Sequence, residues 1–139
     1  MRRTITTLLV AAVLSLPVVD ATAAVKAASK KTVSTKTFSG STVSVDRWGE
    51  LRVTITVRKT TTITGRKKKV TRKIVGVSVP TYPNHTDRSV AINQRAIPIL
   101  RSETLQAQSA NIDLVSGATD TSDSYVQSLQ AAILKAKRA

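Results

Sequence analysis

The chain has 139 residues, no cysteine and a formal net charge of +14, from 22 basic and 8 acidic side chains. This length suits a single domain, and the missing cysteine excludes disulfides, cysteine-ligated metal centres and thiol nucleophiles. Hydrophobic residues make up 41% of the chain, which is too much for a wholly disordered basic tail.

The first 23 residues have the three parts of a secretory signal peptide. A positive start (MRR) precedes the apolar, uncharged run Ile5–Val19, and Ala21-Thr22-Ala23 supplies an A-x-A cleavage pattern. An uncleaved membrane anchor is the alternative, but the run is short for a spanning helix of about 20 residues and contains Pro17. We therefore expect cleavage after Ala23 or Ala24, and a mature chain that works outside the cytoplasm, secreted or membrane-associated.

Residues 24–37 are small, polar and basic, without a periodic apolar face. This composition predicts a flexible basic linker. The folded domain is then expected over residues 38–139.

Two alternating runs predict strands. Leu51 to Val57 alternates β-branched or apolar residues with polar ones, and Val75 to Val79 repeats the pattern before Pro80. Gly65 lies between them as a turn residue, which indicates an antiparallel hairpin. A further strand is predicted over Phe38 to Val45.

Helical spacing follows the strands. Pro98 suits the first turn of a helix that runs toward Ala107, with a buried face from Ile99, Leu100 and Leu105. Together with a second helix at the C-terminus, this predicts an α+β fold, an antiparallel sheet with helices packed on one side.

The second helix is predicted to begin near Ser122, with that residue as N-cap and Asp123 at the positive end of the helix dipole. Its apolar face has helical spacing, and its last turn is basic, which suits the negative end of the dipole. The face comprises Tyr125, Leu129, Ala132, Ile133 and Ala136, and the basic residues are Lys135, Lys137 and Arg138.

The segment before that helix, DLVSGATDTS at residues 113–122, groups hydroxyl side chains around Gly117. Free N–H groups and the dipole at a helix N-terminus attract phosphate, and glycine lets the backbone approach a ligand closely. The composition is also that of an ordinary loop before a helix, so the residue types alone leave both interpretations open.

The motif Asp113-x-x-Ser116-Gly117-Ala118-Thr119 resembles the FMN-binding domain family, which includes a domain in subunits of the sodium-pumping NADH:quinone reductase and small exported bacterial proteins. The resemblance extends over most of residues 38–136. It also includes Trp48-Gly49, Tyr82-Pro83, Ile92-Asn93, residues 105–109 and residues 128–130.

The resemblance implies FMN as cofactor, joined through its phosphate to Thr119 by a flavin transferase. It also implies that the N–H groups of residues 117–119, with Thr121 or Ser122, hold the phosphate, and that Asp113 orients the loop or is read by the transferase. Tyr125 and Trp48 are candidate neighbours of the flavin ring, with core packing as their alternative role. Asp120 departs from the family, whose members often have an aromatic or apolar residue there.

The function expected from this resemblance is extracytoplasmic electron transfer with a membrane-bound redox partner, by a monomeric carrier rather than a stand-alone enzyme. A noncovalent FMN binder, or a member that holds no flavin, is the alternative within the family.

A basic cluster at residues 66–73 allows a different function. Leu51 to Thr86 contains no acidic residue, so the cluster is either a solvated hairpin tip or a docking surface for an anionic envelope. Export and the low aromatic content, 3%, disfavour nucleic acid. The lone His85 and the scattered acids do not predict a metal site.

Overall fold

The computed structural model describes residues 29–139, which form an antiparallel sheet and two helices. The predicted α+β fold is confirmed. The elements are β1 (Ser29–Ser39), β2 (Val43–Ser44), a single 3-10 turn (Asp46–Trp48), β3 (Glu50–Thr64), β4 (Lys67–Thr81), α1 (Asp87–Ala107) and α2 (Thr119–Arg138). The predicted signal peptide lies outside the described residues.

Strand β3 is the centre of the sheet and confirms the predicted alternation. Leu51, Val53, Ile55 and Val57 are buried on one face, because β-strand side chains alternate between faces. Helix α2 packs on this face, and Leu100 of α1 belongs to the same core cluster. Both helices therefore cover one side of the sheet, and neither is long and apolar enough to cross a membrane.

The hairpin of β3 and β4 is confirmed, and it is longer than predicted. Both strands continue to the two-residue turn at Gly65, whose φ is +59°, and Thr64 pairs with Lys67. The distal residues escaped prediction because residues 58–64 and 67–73 include no buried side chain and so have no apolar alternation. Their threonines still favour strand backbone.

Strand β1 corrects the prediction of a flexible linker. Ser29 to Thr37 pair with β3 in register, from Ser29 opposite Thr64 to Thr37 opposite Thr56. These β1 residues are exposed on both faces, so the strand is held by backbone hydrogen bonds rather than by a buried side. The strand predicted over Phe38 to Val45 is interrupted at Gly40, which separates β1 from β2. Residues 24–28 lie outside the described part of the chain.

Helix α1 begins eleven residues before the predicted start. Thr86 caps it, because its hydroxyl accepts the Ser89 N–H at 3.1 Å. Pro98 lies inside the helix on its exposed side, where water can satisfy the carbonyl that proline leaves without a donor.

The buried face of α1 also differs from the prediction. Leu100 is buried as predicted, whereas Ile99 and Leu105 are 44% and 40% exposed. The remaining buried positions are small or polar, so the spacing of hydrophobic residues does not show the helical period. They are Ser89, Asn93, Ala96 and Thr104.

Helix α2 confirms the predicted apolar face and basic last turn, but its start was wrong. Tyr125, Leu129, Ala132 and Ala136 are buried. The N-cap is Ala118 rather than Ser122, because the Ser122 hydroxyl turns back along the helix and donates to the Ala118 carbonyl at 2.7 Å.

Ser128 of α2 joins the helix to the sheet. Its hydroxyl accepts the Val53 N–H of β3 at 2.8 Å and donates to the Ser41 carbonyl at 2.7 Å. The backbone at Gly40 packs so closely that a Cβ there would overlap the Ser128 carbonyl oxygen. The contact therefore requires glycine on one side and a small hydroxyl residue on the other.

We expect Gly40→Ala to lower the free energy of unfolding by about 1–3 kcal/mol, because the added methyl has to separate α2 from the sheet. Urea unfolding followed by Trp48 fluorescence measures this. Gly76→Ala is the matched control, since its Cβ would meet Thr56 at an ordinary 3.5 Å. Equal losses in the two variants would contradict the packing argument.

Tyr125 completes the core between the helices. Its side chain is fully buried, and its hydroxyl lies 2.6 Å from the Thr104 hydroxyl and donates to the Leu100 carbonyl at 3.2 Å. Burial raises the pKa of Tyr125 from 10.0 to about 12. Tyr125 is therefore a core residue, and the alternative role beside a flavin ring does not apply to it.

The raised pKa predicts a loss of stability in alkali. The folded chain favours the neutral phenol, so this contribution is complete below pH 10 and disappears as the pH rises toward 12. It amounts to on the order of 2 kcal/mol. We expect urea unfolding at a series of pH values to show a steeper alkaline decline in the wild type than in Tyr125→Phe. Parallel pH profiles would contradict this.

Candidate functional site

The loop before α2 places its backbone at one end of the sheet. Gly117 has φ +79°, a conformation that a Cβ would strain, and Ala118 is buried directly after it. The Ala118 N–H donates to the Val115 carbonyl at 3.0 Å. The loop therefore ends in a tight turn that leads straight into the first turn of α2.

The start of α2 presents unused donors. Its first intrahelical bond runs from the Ser122 N–H to the Ala118 carbonyl at 2.9 Å, so the N–H groups of Thr119, Asp120 and Thr121 precede that ladder. The N-cap residue, Ala118, makes no side-chain hydrogen bond to this end. Donors and dipole together make it attractive to an anion.

A cavity of about 190 Å³ opens at this helix start. Its walls come from the 3-10 turn, the loop after β4, the first turns of α1 and the start of α2. The lining residues are Val45, Trp48, Pro83, Arg88, Ser89, Ile92, Asn93 and residues 117–121.

Asn93 holds three of these walls together. Its amide nitrogen donates to the Pro83 carbonyl at 2.8 Å, and its amide oxygen accepts from the Thr121 hydroxyl at 2.9 Å. The side chain is 2% exposed, and an unpaired polar group at that depth is costly. Asn93 thus fixes α1, the Pro83 loop and α2 relative to each other.

Trp48 lies in the wall on a closed turn. The Val45 N–H donates to the Gly49 carbonyl at 2.7 Å, and the Trp48 N–H donates to the Val45 carbonyl at 2.9 Å. The Arg47 guanidinium lies 5.0 Å from the centroid of the indole ring, within cation–π range. The turn therefore places the half-buried side chain of Trp48 in the cavity wall.

Two guanidinium groups approach the helix start from α1. Arg88 lines the cavity, and Arg95 lies so close to Gly117 that a Cβ there would be 3.4 Å from its Nη2 atom. Asp120, in the first turn of α2, is the carboxylate of the lining. Arg88 and the N–H donors at the start of α2 are the groups of this wall that suit a phosphate.

The structure brings some of the predicted site residues together and leaves others apart. Gly117, Ala118, Thr119 and Thr121 share the cavity wall. Asp113 and Ser116 are exposed and lie outside the lining, and Ser122 is buried beneath it.

The hydroxyls of the segment also differ in how they are used. Thr121 donates to Asn93. Ser122 donates to Ala118 and accepts the Val115 N–H at 3.0 Å. Thr119 is exposed at the cavity. The roles predicted for these residues toward FMN stay predictions.

Sequence reasoning missed Arg88 and Arg95, and it noted Asn93 without giving it a role. Arg88, Ile92 and Arg95 are spaced i, i+4, i+7 and share a helix face. This spacing indicates a shared face only if α1 begins at Asp87. The predicted start at Pro98 left these residues outside the helix.

Comparison with protein families gives one finding for this region. The family model of the FMN-binding domain matches residues 46–134, well over half of the chain. The matched span contains every cavity-lining residue except Val45. A search of curated proteins found no match to the chain.

Proposed function

This chain belongs to the FMN-binding domain family and binds FMN, and we propose that it carries this flavin outside the cytoplasm as an electron-transfer module. The proposal includes a phosphoester between FMN and Thr119. The observation that carries it is the exposed Thr119 hydroxyl, which lies beside free N–H groups at the start of α2.

The donor set fits the phosphate end of FMN. N–H groups at the helix start supply directed donors, and Arg88 and Arg95 supply positive charge on the facing helix. The cavity, about 190 Å³, is smaller than the roughly 300 Å³ of a pocket that encloses a ligand of drug size. We therefore propose that it holds the phosphate end and that Trp48 offers an aromatic contact to the rest of the molecule.

Attachment to Thr119 requires an activated donor, because free FMN would have to lose water to form the ester. In that reaction the Thr119 oxygen would form a bond to the FMN phosphorus as a phosphoanhydride bond of the donor breaks. The hydroxyl proton would pass to a base supplied by the transferase, and the donor's other phosphate would depart as the leaving group with the rest of the donor. We propose that a flavin transferase supplies this donor and recognises the exposed loop around Asp113.

Asp120 is compatible with this chemistry, although its carboxylate repels a phosphate. It lies in the first turn of α2, where a negative charge is stabilised by the helix dipole. Arg88 lines the same cavity, and Arg95 lies near Gly117. We propose that these two positive charges reduce the repulsion between Asp120 and the phosphate.

The proposed role is a monomeric carrier rather than an enzyme with its own substrate. FMN supplies one- and two-electron chemistry, and the protein supplies placement and electrostatics. In this proposal the start of α2 holds the flavin's phosphate, and Trp48 lines the same cavity. Export is proposed from residues 1–23, and a covalent bond suits an exported carrier because the flavin cannot diffuse away. Its proposed redox partner is membrane-bound.

Co-expression with a flavin transferase, followed by intact-mass measurement under denaturing conditions, tests the attachment. We expect the wild type to gain the mass of FMN less one water, and Thr119→Ala to gain nothing. Thr119→Ser is the matched control, because it keeps a hydroxyl at the start of α2; it should still gain the flavin. A native yellow protein that loses its flavin on denaturation would instead identify a noncovalent FMN binder.

The arginines give a second test, on chain produced without the transferase and titrated with FMN or riboflavin. Charge-assisted hydrogen bonds contribute about 1.5–3 kcal/mol, so we expect Arg95→Gln to weaken FMN binding about tenfold or more. Riboflavin binding should not change, because riboflavin has no phosphate. Arg101→Gln, exposed on the same helix, controls for net charge. Equal effects of both variants on FMN binding would exclude a local role for Arg95.

A further inference from the structure

The sheet extends beyond its helices as a three-stranded arm, here called the distal ribbon and defined as residues 29–37, 58–64 and 67–73. The Lys59 Nζ lies 3.4 Å from the carbonyl oxygen of Ala139, so α2 ends at the level of Lys59. Residues 60–64 and their partners therefore lie past the end of the helix. They are held by pairing along both sides of β3.

The distal ribbon is strongly cationic. It contains no acidic residue, and none occurs anywhere between Leu51 and Thr86. Its basic side chains are Lys30, Lys31, Lys36, Arg58, Lys59, Lys67, Lys68, Lys69, Arg72 and Lys73, and Arg66 lies in the turn. Such a concentration of one sign creates a field that attracts anionic surfaces.

Strand register assigns these residues to two faces. Lys30, Ile63 and Lys68 are direct cross-strand neighbours, as are Lys59 and Arg72. They share the face on which Val57 meets α2, because they lie an even number of residues from Val57 or its partners. Lys31, Lys69 and Lys73 belong to the opposite face.

The α2-side face also exposes an apolar pair. Ile63 and Val70 are 41% and 37% exposed. Ile63 pairs with Lys68 and Val70 with Thr61, so the two apolar side chains are diagonal neighbours on one face. Cations surround them on all three strands. A single exposed apolar residue is ordinary, but this arrangement combines charge attraction with apolar contact.

We propose that the α2-side face of the distal ribbon docks on an anionic lipid bilayer. Lysine and arginine attract the headgroups, while Ile63 and Val70 enter the interface. A soluble anionic polymer would satisfy the charges but would leave the apolar pair in water. Nucleic acid is disfavoured because the distal ribbon has no aromatic side chain for base stacking.

The docking orientation leaves the cavity accessible. Glu50, where β3 begins, follows the turn that carries Trp48, whereas Thr64 ends the strand at the ribbon tip. The two ends are separated by 15 residues of strand, on the order of 50 Å. The distal ribbon can thus bind a surface at one end of β3 while the start of α2 lies near the other end, beside Val45 and Trp48.

Vesicle co-sedimentation of the full chain tests this, with phosphatidylcholine alone or mixed with phosphatidylglycerol. We expect phosphatidylglycerol to increase binding and added salt to reverse the increase. In the triple variant Lys30→Gln, Lys68→Gln, Arg72→Gln, we expect the increase in binding caused by phosphatidylglycerol to fall about a hundredfold. This corresponds to about fivefold per basic residue. The matched triple variant Lys31→Gln, Lys69→Gln, Lys73→Gln, on the opposite face, should lose less than tenfold. Residues 1–28 are the same in every protein, so their contribution cancels.

The apolar pair separates a bilayer from a polymer. Ile63→Thr with Val70→Thr keeps the charge, and we expect severalfold weaker binding to phosphatidylglycerol vesicles with unchanged binding to soluble polyphosphate. Equal losses in the two charge variants would overturn the assigned face. Unchanged vesicle binding of the apolar variant would overturn the bilayer in favour of a soluble polyanion. Trp48 fluorescence confirms that each variant is folded, and flavin loading is not needed for any readout.

Discussion

The position of the candidate site depends on one side chain, Ser128. Its hydroxyl bonds to Val53 and Ser41 at once and lies against Gly40, which fixes α2 on β3 in both height and rotation. Thr119 lies nine residues earlier on the same rigid helix, about 13 Å away. Asn93 then ties that helix end to α1 and to Pro83. Thr119 is therefore placed by contacts that do not include its own side chain.

Helix α2 has hydroxyl side chains in two different environments. Thr121, Ser122, Ser124 and Ser128 are buried, and each hydroxyl has a partner within the described residues. Thr119 is exposed at the cavity instead. Burial and pairing make the first four hydroxyls inaccessible to a ligand, whereas exposure at the cavity makes Thr119 accessible. Position along the helix, rather than residue type, makes this distinction.

The sequence predicted those parts of the fold that have one buried face. Leu51 to Val57 and the Tyr125 side of α2 show the expected periods because water and core select different residues. Strand β1 has no such contrast, and the buried face of α1 includes Asn93 and other polar residues. The predicted first residues of β1 and α1 were therefore wrong. The motif at residues 116–119 predicted the part of the cavity wall that lies at the start of α2. Its partners Arg88 and Arg95 are distant in sequence, and only the fold brings them near.

The lysines of β1 and β4 have another consequence, for solubility. These two strands are the outer strands of the sheet, and an open strand edge is a template for pairing with a second chain. Two copies meeting edge to edge would place rows of positive charge within about 5 Å of each other. Mutual repulsion thus opposes intermolecular β-pairing along the distal ribbon, where no further strand of the described residues pairs with β1 or β4.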